Sequence, residues 1–129
     1  GRRNLTGQPT LEEMTWNANR EAVQQVASRG GCVIVGRCAD VILKGNPHML
    51  RVFLTADEAW RIARVSRRDR ISHEEAKQKI RRMEKSRSAY YHNMSDQVWG
   101  KAENYDLCMN VSKLGTETVI QMILDRCCL

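Results

Sequence analysis

The eight residues from Gly31 to Cys38 constrain the fold most, because they are typical of a buried strand that ends in a glycine and an arginine. The central tetrad Cys32–Val35 is apolar, largely β-branched and bounded by glycines, as strands covered on both faces are. Gly36 permits a tight turn, which puts Arg37 at the carboxyl end of the predicted strand. Ligands of open α/β sheets bind at that end, and a guanidinium offers paired donors to phosphate or carboxylate. The stretch therefore predicts an anion site in an α/β protein.

The same residues nearly match the phosphate-loop pattern G-x-x-x-x-G-K-[ST], with Arg37 at the lysine position and Cys38 at the Ser/Thr position. A phosphate loop exposes backbone amides between its glycines, whereas the strand-like tetrad predicts a buried segment. A thiol also cannot replace the hydroxyl that holds Mg²⁺. We therefore interpret the stretch as a strand and a turn, and no other part of the sequence fits the pattern.

Predicted helices alternate with further predicted strands along the chain. Strands are expected at 49–55 and 107–111, and helices at 10–29, 39–43, 57–68, 72–91 and 116–127. Capping boxes mark two helix starts, Thr10 with Glu13 and Ser72 with Glu75. Alternation of this kind predicts one α/β domain over residues 1–129, with a mostly parallel sheet and helices on both faces.

A basic segment lies between Arg61 and Arg87 in a chain whose net charge is +6. It holds eleven lysines and arginines against four acids, so it alone carries +7 and the rest of the chain is nearly neutral. This concentration indicates a polyanionic partner, either nucleotide phosphates or nucleic acid. A merely solvated helix face is the third interpretation.

Composition also restricts location. No apolar run approaches the roughly 20 residues of a membrane helix, and the chain does not start like a signal peptide. The five cysteines show no C-x-x-C spacing, which favours reduced, buried thiols in a cytoplasmic protein. The three histidines lack metal-ligand spacing, so no metal site is predicted.

Three longer stretches and two shorter ones carry a family resemblance. The longer ones are Cys32–Asp40, Leu50–Ala56 and Asn104–Gly115, and the shorter ones are Glu84–Tyr91 and Trp99–Gly100. In order and spacing they resemble the cytidylate kinase-like family of P-loop nucleoside monophosphate kinases. The resemblance implies a three-layer P-loop NTPase-like fold with a helical basic lid. It also implies transfer of the γ-phosphoryl group of ATP to an acceptor such as CMP, with Mg²⁺.

The resemblance assigns roles to particular residues. Gly36 and Arg37 would bind the acceptor nucleotide, with Arg37 on its phosphate or ribose side, and Asp40 could read the base. The region 57–95 would be the lid, which closes over donor and acceptor phosphates. Within it, Arg81 and Arg87 would be catalytic cations and Glu84 a substrate contact. Asn110 and Ser112 would lie in the turn that accommodates the adenine of ATP.

Structural interpretations of the same residues stay open. Arg37 could pair with a carboxylate such as Asp40, and Asp40 could stabilise the start of a helix. Glu84 could form an intrahelical pair with Arg81 or Arg87.

The chain departs from the family pattern in two ways. Cys38 stands where cytidylate kinases carry an aspartate that reads cytosine. The family's first strand, phosphate loop and first helix also have no counterpart here, and that strand lies between those represented by Cys32–Val35 and Leu50–Thr55. Each orphaned backbone group costs about 1–3 kcal/mol. We therefore expect an upstream segment or a second copy, in a homo-oligomer, to complete the sheet.

A non-catalytic nucleotide- or nucleic-acid-binding module that uses the basic helix is the alternative function. Few aromatic residues accompany the basic segment, and base stacking would need them. The expected partners are therefore a nucleoside monophosphate and ATP, and neither nucleic acid nor a membrane.

Overall fold

The structure, a computed structural model, describes residues 7–127 of the 129-residue chain. The chain forms two compact units, Gly1–Met49 and Leu50–Leu129. The expected extent of one domain over residues 1–129 stays a prediction. Four of the five cysteines are described, and all four are free thiols. Cys38 is buried, but the predicted burial is wrong for the exposed Cys32, Cys108 and Cys127. Cys128 lies outside the described residues.

The first unit is built on α1 (Leu11–Ser28) and the short α2 (Ala39–Ile42), which contact each other. α1 begins at the predicted capping box. The Thr10 hydroxyl accepts the Glu13 N–H at 3.2 Å, and the Glu13 carboxylate accepts the Thr10 N–H at 2.8 Å. These bonds satisfy two amides that a helix leaves free at its start. In the described part of this unit, the buried residues are Val23, Cys38 and Ala39.

The predicted buried strand at Cys32–Val35 is wrong. These residues form no strand within the described chain, and Val33 and Val35 are 92% and 87% exposed. β-Branched residues favour a pleated, half-buried surface, but a strand also needs a hydrogen-bonding neighbour. None of residues 7–127 supplies one to this tetrad. Burial of the tetrad is therefore no longer an argument against a phosphate loop. The chemical argument remains, because Cys38 has a thiol where a phosphate loop needs a hydroxyl.

The second unit contains both strands of the described chain. In order, its elements are β1 (Val52–Thr55), α3 (Glu58–Asp69), α4 (His73–Ser95), a 3₁₀ turn (Ala102–Asn104), β2 (Leu107–Asn110), α5 (Val111–Leu114) and α6 (Thr116–Arg126). The two strands pair in parallel, with Val52 opposite Leu107 and Thr55 opposite Asn110. The predicted strands at 49–55 and 107–111 are thus confirmed as shorter segments, and they pair in parallel, as expected for a mostly parallel sheet.

An aromatic cluster packs on β1. The Phe53 ring lies 5.3 Å from that of Trp99 and 4.9 Å from that of Tyr105. Gly100 has φ +78°, and a Cβ there would come within 3.0 Å of Phe53 Cζ. The glycine therefore permits both the left-handed backbone and the close approach of the ring.

The helices of this unit pack as pairs, α3 on α4 and α5 on α6. α4 begins at the second predicted capping box, in which the Ser72 hydroxyl accepts the Glu75 N–H at 3.2 Å. On α6, Val119 is buried, whereas Ile120 and Leu124 are 46% and 43% exposed. The apolar stripe of α6 is therefore only partly covered.

The described fold is a mixed α/β structure, rich in helix, with a small parallel sheet of two strands. Parallel sheets are normally covered on both faces. Here Leu54 in the middle of the pair is 52% exposed. The sheet therefore has apolar surface on β1 that the described residues leave open.

Candidate functional site

The turn that follows the exposed tetrad has an unusual backbone. Gly36, Arg37 and Cys38 have φ values of +70°, +59° and +52° in succession. Glycine adopts this region freely, but a residue with a Cβ is less stable there by about 1–2 kcal/mol. Two such residues in a row persist only where their surroundings hold them, and strain of this kind clusters at functional sites.

Contacts from both sides hold this turn. The Asn19 side-chain amide, on α1, donates to the Arg37 carbonyl at 2.9 Å. The Ala39 N–H donates to the Gly36 carbonyl at 3.2 Å, which leads into α2. The Cys38 side chain is buried, with 6% of its surface exposed. The backbone of Arg37 is thus anchored on either side.

Arg37 itself is exposed, so its guanidinium is accessible to an anion. Asp40 lies three residues later, in the first turn of α2, and is half-buried. Burial, with a smaller contribution from the charge of Asp40, raises the pKa of the Cys38 thiol from 9.0 to about 11. The thiol therefore stays protonated near neutral pH and is a poor nucleophile or metal ligand.

A polar network joins the carboxyl ends of the two strands in the second unit. The Asn110 amide donates to Asp57 Oδ1 at 2.9 Å, and the Asp57 N–H donates to Ser112 Oγ at 2.9 Å. Lys113 Nζ lies 2.9 Å from Asp57 Oδ2. The hydrogen bond from Asn110 and the neighbouring Lys113 ammonium hold the pKa of Asp57 below its usual value.

Asn110 and Ser112 both use their side chains inside this network. Asn110 Oδ1 accepts the Ser112 hydroxyl at 2.6 Å and the backbone N–H groups of Ser112 and Lys113 at 3.1 and 3.3 Å. An amide oxygen has two lone pairs, so these bonds occupy it. The two residues shape the turn after β2, and contacts from them to a ligand would come mainly through the backbone.

Glu84 forms an ion pair with Arg61, which joins α4 to α3. The structure thus gives Glu84 an interhelical partner that neither sequence interpretation included. The Nε–H of Arg61 is buried and has no hydrogen-bond partner among the described residues. Arg61 is therefore a candidate functional residue that sequence analysis missed.

Arg81 and Arg87 are exposed on α4, three residues before and after Glu84. Two other cations, Arg68 and Lys79, pair with a nearby acid and contact Asp69 at 2.7 Å and 2.9 Å. The hydrogen bonds from these two cations hold the pKa of Asp69 well below its usual range.

Of the eight predicted site residues, the structure places five in the second unit and three, Gly36, Arg37 and Asp40, in the first.

One face of α3 carries a tryptophan among arginines. The Arg64 guanidinium carbon lies 5.4 Å from the centre of the Trp60 ring, within the range of a cation–π contact. Arg67 and Arg68 continue the same face and line, with Trp60, an open concavity of about 320 Å³. This face can receive an anion or an aromatic ring.

Neither a protein metal site nor a membrane span is found in residues 7–127. No group of three or more His, Cys, Asp or Glu side chains there could hold a metal ion. No helix in that part of the chain is long and apolar enough to cross a membrane.

Asn19, Arg61 and Asp57 take part in these sites without having been predicted. Asn19 and Arg61 contact residues 18 and 23 positions away, so no local pattern announces them. Asp57 had a usable signal, because a polar residue just past the end of a parallel strand lies near the edge where ligands bind.

Comparison with known proteins identifies the family. A solved structure of an uncharacterized protein from Eubacterium ventriosum ATCC 27560 superimposes with a TM-score of 0.79 and 28% sequence identity. The match covers 90% of this chain and 64% of that one, so this chain spans less than two thirds of that protein. No curated protein matches. The pattern of the cytidylate kinase-like family matches residues 2–113, and the chain therefore belongs to that family.

Proposed function

We propose that this chain is the acceptor-binding and lid part of a nucleoside monophosphate kinase. It would move the γ-phosphoryl group of ATP to an acceptor such as CMP. The proposal rests chiefly on Arg37, an exposed guanidinium on a strained and anchored turn, in a chain of the cytidylate kinase-like family. Free thiols at all four described cysteines agree with a cytoplasmic location.

In the proposed reaction, an oxygen of the acceptor's phosphate forms a bond to the γ-phosphorus of ATP. The bond from that phosphorus to the β–γ bridging oxygen breaks, so the products are a nucleoside diphosphate and ADP. Such a transfer depends on positioning and on stabilisation of the charge on the transferring group. Arg37 would hold the acceptor, while Arg81 and Arg87 would approach the phosphates when the lid region 57–95 closes.

The described residues do not form a protein site for Mg²⁺. In phosphoryl-transfer enzymes, this ion is bound largely by the substrate phosphates and water, with one or two carboxylates. We propose that Mg²⁺ enters with ATP. No described residue is assigned to it.

Base recognition in this proposal differs from the cytidylate kinase pattern at Cys38. The buried thiol has no acceptor strength comparable to a carboxylate, so it cannot replace the aspartate that reads cytosine. Asp40 is the nearest carboxylate along the chain and the proposed reader of the base. An adenine of ATP would meet the backbone of the turn that Asn110 and Ser112 shape.

We further propose that the complete protein has a three-layer P-loop NTPase-like sheet. Two observations support this: Val33 and Val35 are almost fully exposed, and Leu54 on β1 is half-exposed. A further strand, from an upstream segment or from a second copy, would cover such surface, and an upstream segment would also supply the phosphate loop. The proposed sheet does not involve the concavity of about 320 Å³ beside Trp60.

Kinetics of the natural polypeptide with ATP·Mg²⁺ and a panel of nucleoside monophosphates test the proposed activity. We expect turnover with at least one pyrimidine acceptor. Arg37→Ala should raise the acceptor KM about tenfold or more, as loss of a charge-assisted contact does, with little change in the KM for ATP. Arg29→Ala, an exposed arginine at the end of α1, is the matched control.

The lid assignment has its own test. Arg87→Ala should lower kcat more than it raises either KM, because the interaction is made mainly in the transition state. Arg82→Ala removes the charge of another exposed arginine on the same helix and serves as the control. An unchanged kcat in Arg87→Ala, or equal losses in both variants, would remove Arg87 from the catalytic machinery.

A nucleic-acid-binding module is the second candidate, because Trp60 and its neighbouring arginines form a face suited to a stacked base. Binding of a fluorescent oligonucleotide would then fall steeply with salt. Trp60→Ala would weaken it further at every salt concentration, and no ATP-dependent turnover would occur. Turnover together with salt-insensitive, weak oligonucleotide binding would reject this candidate.

A further inference from the structure

The bond between α1 and the turn at Arg37 is a candidate for a functional contact. Asn19 Nδ2 donates to the Arg37 carbonyl at 2.9 Å across 18 residues of sequence. It joins the helix to a segment in which two residues other than glycine, Arg37 and Cys38, have unfavourable positive φ values.

Asn19 lies on the same face of α1 as the buried Val23, four residues later. Cys38 and Ala39 are the other buried residues of the described part of this unit. The turn is thus fixed by apolar burial on one side of Arg37 and by the Asn19 amide at Arg37 itself. Without that amide, the Arg37 carbonyl would have no partner from α1.

We propose, on the basis of the function proposed above, that Asn19 is a positioning residue for the acceptor site. By holding the Arg37 carbonyl, it fixes the direction from which the exposed guanidinium projects. An arginine whose backbone is already ordered loses less conformational freedom when it binds a phosphate. Asn19 itself need not touch the acceptor.

Asn19→Ala in the natural polypeptide tests this role, with CMP and ATP·Mg²⁺ as substrates. We expect the KM for CMP to rise about two- to tenfold, the range that corresponds to loss of one net hydrogen bond, while the KM for ATP stays unchanged. Asn17→Ala is the matched control, because it makes the same change in helix propensity at an exposed position two residues away. Asn19→Gln, which keeps the amide donor, should recover part of the loss.

The alkylation rate of Cys38, read by peptide mass spectrometry, reports the turn independently of activity. It should increase in Asn19→Ala and stay constant in Asn17→Ala. Faster alkylation with an unchanged KM for CMP would make Asn19 merely structural and overturn the proposal.

Arg37→Ala and the double variant separate this inference from the proposed function. If Arg37→Ala raises the KM for CMP and Asn19→Ala adds nothing to it in the double variant, Asn19 acts through Arg37. If Arg37→Ala has its effect and Asn19→Ala has none, the positioning role is wrong and the proposed function stands. If neither variant alters the KM for CMP, the acceptor site itself is wrong.

Discussion

At the scale of single residues, the thiol of Cys38 offers a direct test of the strained turn. Its burial raises its pKa to about 11, so only about 0.1% is thiolate at pH 8. We expect its alkylation by iodoacetamide to rise about tenfold per pH unit from pH 8 to pH 10. Peptide mass spectrometry gives the rate, and the exposed Cys32 is the internal control for reagent and digestion.

The raised pKa of Cys38 also makes the free energy of unfolding decrease as the pH rises. The pKa of the folded thiol lies above its ordinary value of 9.0, so the folded state binds the proton more tightly than the unfolded state. This contribution to stability is complete below pH 9 and is lost as pH rises toward 11. A Cys38 alkylation rate that levels off below pH 9.5, in protein that circular dichroism shows to be folded, would contradict the buried turn.

Gly100 gives a second prediction at this scale. An alanine there must adopt φ +78° and bring its Cβ within 3.0 Å of Phe53 Cζ. Gly30→Ala is the matched control, because its φ is +71° and nothing lies within 4 Å of the added Cβ. Both variants lose about 1–2 kcal/mol from the backbone, and Gly100→Ala should lose about 1–3 kcal/mol more from overpacking.

Urea unfolding of both variants measures this difference. Equal losses would mean that the Phe53 ring moves aside without cost and that its packing on Trp99 and Tyr105 is loose.

At the scale of elements, the sequence predicted what is determined locally. The capping boxes at Thr10 and Ser72 involve residues three positions apart, so the residues that define the sequence pattern are the ones that form the hydrogen bonds. The strand at Cys32–Val35 failed because pairing depends on a distant neighbour that composition cannot reveal. For the same reason, the pairs Asn19–Arg37 and Arg61–Glu84 were invisible, although Arg37, Glu84 and the basic region could be selected by residue type.

The ion pair between Arg61 and Glu84 predicts coupling between α3 and α4. Because the two side chains are 31% and 40% exposed, solvent screens them, and we expect a coupling free energy of about 0.5–1 kcal/mol. A double-mutant cycle of Arg61→Ala and Glu84→Ala in urea measures it. The cycle of Arg61 with Arg87→Ala, an exposed residue one turn from Glu84, is the control and should be additive.

A purely additive Arg61–Glu84 cycle would show that the pair does not link the two helices. Glu84 would then be free to serve as a substrate contact in the lid.

At the scale of the whole molecule, each of the two units leaves apolar residues exposed. The tetrad Cys32–Val35 has strand composition without a strand, and β1 has apolar surface at Leu54 without cover. The described residues form a parallel sheet of two strands, whereas sheets of about four to six strands are the most common. The family resemblance predicts a strand that pairs with both segments. That strand stays a prediction, and the composition of the two segments gave no sign of how exposed they would be.

Amide hydrogen exchange of the natural polypeptide tests this completion of the sheet. In a separately produced polypeptide of residues 1–129, we expect the amides of Cys32–Val35 to exchange as fast as those of an unstructured peptide, because no described residue pairs with them. In the natural polypeptide, hydrogen bonding to a further strand should slow them about a hundredfold or more, as stable strand pairing does. The paired strand β2 is the control, because it should be protected in both samples. Fast exchange of Cys32–Val35 in both samples would leave the tetrad without a partner and reject the three-layer P-loop fold.

Protection that disappears on dilution would identify the partner as a second copy of the chain, whereas protection that is independent of concentration would place the strand within the same polypeptide.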